Sequence, residues 1–99
     1  MVALAPEIEL DLGALLNELE EMGFEIVHAR YDARAFGNYV VTLRGPSREL
    51  VLVRDRGQYF VEGSILELGP LGLWEAFDKK ETFCERLLAR LLGRGADVA

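Results

Sequence analysis

The stretch from Glu49 to Glu62 constrains this chain most, because two apolar runs, Leu50-Val51-Leu52-Val53 and Tyr59-Phe60-Val61, flank Asp55-Arg56-Gly57. Gly57 supplies the positive φ that a tight hairpin turn demands, so the segment predicts a β-hairpin. Two further runs of β-formers precede it, and together they predict strands over 24–31, 38–44, 49–54 and 58–62. Sequential strands joined by short turns make an antiparallel meander. Gly45-Pro46-Ser47 is turn chemistry for the earlier hairpin, and Ile65-Leu66-Glu67-Leu68 offers one more short strand before Gly69-Pro70 breaks it.

A helix precedes the strands and another follows them. Leu12, Leu15, Leu16, Leu19 and Met22 recur at helical spacing, with Asp11 placed to cap the helix and Gly23 to end it. Asp78 and Glu81 have the spacing of a capping box, and Phe83, Cys84, Leu87, Leu88, Leu91 and Leu92 carry a wider apolar stripe to Gly93. The segment 71–77 brings Trp74 and Phe77 as plugs for the core. The expected architecture is a single α+β domain of 99 residues: a two-layer sandwich of a four- to five-stranded antiparallel meander, an N-terminal helix and a C-terminal helix. Residues 1–6 and 94–99 are expected to be flexible.

If both turns hold three residues, Gly45 to Ser47 and Asp55 to Gly57, the pairing fixes which side chains share a face. Tyr39, Val41, Leu43, Val51, Val53, Tyr59 and Val61 then form the core face. Val40, Thr42, Leu50, Leu52 and Phe60 form the middle of the other, ringed by Asn38, Arg44, Arg48, Arg54, Gln58 and Glu62. A face turned to water should alternate to polar residues. An apolar centre with a polar rim is the make-up of a protein interface, and those five residues are the candidate interface. The alternative reading has the C-terminal segment folded over this face. A change of one residue in either turn would exchange the faces.

Charge is unevenly placed. Residues 1–27 hold seven acids and no bases, residues 28–60 six arginines against three acids, and residues 61–99 seven acids against five bases, giving a net charge of −6. That balance argues against nonspecific binding to nucleic acid or to an anionic membrane. Acidic proteins favour basic partners. The meander gathers Arg30, Arg34, Arg54, Arg56 and Gln58 near one end of the sheet, a candidate polar or anion-binding site because guanidinium forks suit carboxylates and phosphates.

Catalysis would have to begin with His28 or Cys84, the single histidine and single cysteine. Neither has a nucleophile or metal-ligand context, and Cys84 falls on the apolar arc of its helix, so no catalytic, cofactor or metal residue is assigned. One cysteine forms no internal disulfide, and Met1 to Pro6 lacks the basic start of a signal peptide, so a cytoplasmic protein is expected.

At Leu52-Val53-Arg54-Asp55-Arg56-Gly57-Gln58-Tyr59-Phe60, with Trp74 downstream, the middle half of the chain resembles small bacterial proteins of the toxin-immunity-like α+β type. Arg56, Gln58 and Tyr59 match that pattern. The resemblance implies a non-enzymatic acidic protein that binds and neutralises a toxin domain. The expected function is thus a protein-binding module, a homodimer or partner-bound, with a secretion-chaperone-like protein and an anion-binding domain or small enzyme at the arginine-rich end as alternatives.

Overall fold

A computed structural model describes residues 4–34, 37–45, 48–62 and 76–91. The element order is α1 (Pro6–Glu21), β1 (Glu25–Asp32), β2 (Asn38–Arg44), β3 (Glu49–Asp55), β4 (Gln58–Val61) and α2 (Lys80–Leu91). The four strands form one antiparallel sheet in the order β1-β2-β3-β4, so the chain is an α+β protein with a helix at either end. The strand at 65–68, the Trp74 plug and the 94–99 tail lie outside the described residues.

Helix α1 starts earlier than the cap reading of Asp11 implied. Pro6 takes the first turn, where its fixed φ suits the helix and its missing N–H costs nothing, and Glu7 and Glu9 favour the positive end of the helix dipole. Ile8 thereby joins Leu12, Leu15, Leu16 and Leu19 on the buried stripe. Asp11 sits inside the helix on that same side, four residues before Leu15. Leu4 and Ala5 pack against the core ahead of it. The helix ends in a Schellman arrangement: Gly23, at φ 99°, donates to the Glu20 carbonyl at 3.0 Å and Phe24 to the Leu19 carbonyl at 3.0 Å.

The sheet register differs by one residue from the expected pairing at both hairpins. Arg44 pairs with Glu49, so the β2–β3 connection holds the four residues 45–48, and Gly45 N–H closes it on the Arg48 carbonyl at 2.8 Å. Asp55 pairs with Gln58, leaving a two-residue turn of Arg56 (φ 52°) and Gly57 (φ 81°), the all-positive φ pattern of a type I′ turn. Each slip inverts every strand after it, and two slips cancel. Tyr39, Val41 and Leu43 on β2 and Tyr59 and Val61 on β4 are buried as expected, whereas β3 is turned over. Leu50 and Leu52, 2% and 0% exposed, belong to the core, and Val51 and Val53 take their places on the other face.

A bulge between Ile26 and His28 rephases β1. Ile26, Ala29 and Tyr31 pack against the core, and His28, whose facing the sequence left open, lies exposed on the opposite side as the partner of Thr42.

Both helices cover the same side of the sheet. Phe83 of α2 is fully buried, with its ring 5.8 Å from Tyr59 and 5.9 Å from Phe77. Phe77 extends the sheet past β4 by a two-bond bridge to Tyr59. The expected capping role of Asp78 is replaced: its carboxylate accepts from Gln58 Nε2 at 2.8 Å, and α2 opens two residues later.

Candidate functional site

The face away from the helices is a grid whose rows are set by the register. At the turn end stand Asp32, Asn38, Asp55 and Gln58; next come Arg30, Val40, Val53 and Phe60; then His28, Thr42, Val51 and Glu62. Glu25, Arg44 and Glu49 close the far end. Val40, Thr42, Val51, Val53 and Phe60 are half-buried and contiguous, while Arg30, His28, Asp55, Gln58 and Glu62 around them are exposed. Of the expected interface residues, Val40, Thr42 and Phe60 are therefore on this face. Leu50 and Leu52 are not, because the longer first connection turns β3 over.

Strand pairing explains why the face stays apolar. β-branched valines at directly opposed positions fill the pleat against one another, as Val40 does with Val53, and a shallow groove of about 300 Å³ runs beside them between Arg30, Asp32, Asn38 and Asp55. Asn38 holds the groove floor to the hairpin tip: its Nδ2 donates to Asp55 Oδ1 at 2.9 Å, and its Oδ1 accepts the Arg56 N–H at 2.8 Å.

The five residues of the expected polar site do not converge. Arg30 pairs with Val40 and Arg54 with Tyr39, and since adjacent residues of β2 point to opposite sides, the two guanidiniums are on opposite faces. Arg34 is in the exposed turn after β1, Arg56 at the hairpin tip, and Gln58 is engaged by Asp78.

Arg54 instead joins a polar node on the helix side that the sequence reading missed. Asp11 Oδ2 accepts from Tyr39 OH at 2.6 Å and from Tyr59 OH at 2.8 Å. Arg54 Nε lies 3.9 Å from the same oxygen and Lys80 Nζ 3.6 Å from Oδ1. Arg54 also donates to the Gly37 carbonyl at 3.0 Å, and its guanidinium sits 5.8 Å from the Tyr59 ring centre. One carboxylate thus ties α1 to β2, β3, β4 and α2. Burial, with the Asp11 hydrogen bond and charge added, raises both phenol pKa values above the usual tyrosine range. A signal existed: Asp11 interrupts the buried stripe of α1, and buried tyrosine hydroxyls seek an acceptor. A groove of about 330 Å³ opens beside the node at Tyr31 and Leu10, the latter 86% exposed.

Cys84 is half-buried against the core, and burial pushes its thiol up to about 11, so it is protonated near neutral pH. Among the described residues no group of three or more histidine, cysteine or acidic side chains is placed to hold a metal ion, and no helix is long and apolar enough to cross a membrane. Comparison with protein-family models, with curated proteins and with solved structures finds no match for this chain.

Proposed function

We propose that the chain is a non-enzymatic, acidic protein-binding module whose docking surface is the sheet face opposite the helices. The observation that supports this is the half-buried patch of Val40, Thr42, Val51, Val53 and Phe60 inside a polar rim, on the side of the sheet that neither α1 nor α2 packs against. Apolar side chains at the centre of such a patch contribute on the order of 1–3 kcal/mol each when a partner desolvates them, offset by the cost of association.

The resemblance at the β3–β4 hairpin gives the reading its more specific form, an immunity-type protein that neutralises its partner in the cytoplasm. The net charge of −6 would speed encounter with a basic partner. The division of Arg30 and Arg54 between two faces leaves an anion site at that end of the sheet with less support.

The test compares the native chain with Val53→Glu, each cross-linked in cells of its source and analysed by mass spectrometry. A partner held by the native chain and lost by a variant with an unchanged circular-dichroism spectrum supports the reading. Identical partners from both, or a variant that unfolds because Val53 is core, overturns it.

A further inference from the structure

Resting on the docking-face reading, we infer that the occupant of this face is a second copy of the chain, packed sheet to sheet about a two-fold axis parallel to the strands. The residue grid is complementary to itself about that axis and not about the alternative one.

Two sheets that stack aligned sit about 10 Å apart with strand directions within about 30° of each other. A dyad parallel to the strands, between β2 and β3, lays β1 over the partner's β4 and β2 over the partner's β3 while keeping each row in place. Val40 then meets the copy's Val53, and Thr42 meets its Val51, so the apolar centres coincide. At the margins His28 meets Glu62, Arg30 the Phe60 ring, and Arg44 meets Glu49. Each contact occurs twice, as an isologous interface requires. The Arg44–Glu49 pairs close one margin, Arg44 standing 3.8 Å from the Glu49 of its own chain as well, and the guanidinium of Arg30 faces an aromatic ring.

The other in-plane dyad, perpendicular to the strands, lays each strand over its own copy and exchanges the rows. It sets Asp32 against Glu25, Asp55 against Glu49 and Arg30 against His28. Like charges at the two acid pairs make that arrangement repulsive. What selects the first axis is that the acids Asp32, Asp55, Glu25 and Glu49 stand in the two end rows, which the second axis superposes and the first keeps apart. With four strands the patch is about 19 Å wide at a spacing of about 4.8 Å, small enough that the dimer should dissociate on dilution.

The test uses the full chain carrying Cys84→Ala, with single reporter cysteines at exposed positions. Light scattering over a concentration series should show reversible doubling of mass. On mild oxidation, chains with His28→Cys should cross-link to chains with Glu62→Cys and neither should cross-link to itself. Glu62→Arg should weaken the dimer about fivefold, and His28→Glu added to it should restore affinity to within about twofold. Cross-linking of His28→Cys chains to Arg30→Cys chains overturns the axis. A mass that stays monomeric at every concentration overturns self-association altogether, and then the Val53→Glu partner comparison alone decides whether the face docks another protein.

Discussion

Tyr39 and Tyr59, on strands that are not neighbours, donate their phenolic hydrogens to the same oxygen of Asp11. The carboxylate gathers two buried hydroxyls and two cations at the centre of the helix–sheet seam, where each hydrogen bond to a charged acceptor is stronger than a neutral one.

Removing that acceptor strands both hydroxyls. Asp11→Ala should lower the unfolding free energy by about 2–4 kcal/mol, measured by urea titration. Tyr39→Phe or Tyr59→Phe, which takes away donor and demand together, should cost no more than about 1.5 kcal/mol.

The same node makes the protein sensitive to alkali. Because the folded-state pKa values of Tyr39 and Tyr59 are raised, their contribution is intact below the unfolded tyrosine value of about 10 and is lost as pH climbs above it, when only the unfolded chain releases protons. Stability should fall by up to about 1.4 kcal/mol per pH unit for each phenol that stays protonated in the folded chain, so the alkaline limb should be shallower in Tyr39→Phe than in the native protein. An alkaline limb unchanged in Tyr39→Phe would disprove the assignment.

Register predicts opposite fates for adjacent residues. Leu52→Glu buries a charge in the core and should abolish folding. Val53→Glu, on the other face, should leave the monomer folded with a loss within about 1.5 kcal/mol by thermal melting.

Gly45 is held small by a neighbour. A Cβ there would stand 2.3 Å from the Phe24 ring, so Gly45→Ala should cost about 1–3 kcal/mol through forced displacement of a buried aromatic. In a Phe24→Leu background the added penalty of the alanine should shrink, which a double-mutant cycle would measure.

Arg56 occupies a left-handed conformation that only its turn demands. Arg56→Asn, a residue that enters this region more easily, should raise stability by about 0.5–1 kcal/mol in the same titration, with the hairpin unchanged.

The sequence carried most of the frame and lost one strand's orientation for a definable reason. Asn38–Arg44 begins and ends where its β-formers do, and the apolar spacing of Leu12, Leu15, Leu16 and Leu19 correctly named the buried stripe of α1. Turn length was not legible. Arg48 suits a strand start as well as a turn end, and arginine at position 56 hides a type I′ turn that asparagine or glycine would have announced. Glu49–Asp55 could not correct the error, because Leu50 and Leu52 are no more apolar than Val51 and Val53 need to be for either facing. Asp11 misled for a related reason: an aspartate ahead of leucines reads as a cap, and its lateral use becomes visible only once Pro6 is recognised as the helix start.

The ambivalence of β3 has a consequence for how this sequence can vary. A strand with aliphatic side chains on both sides carries no instruction about which side goes in, so the instruction resides in the length of the two connections flanking it. Exchanges of one aliphatic residue for another along the strand would leave its orientation alone, while loss of a single residue between Arg44 and Glu49 would present Leu50 and Leu52 to solvent and draw the valines inward. The usual tolerances are thus exchanged: here the loops keep count, and the strand between them obeys.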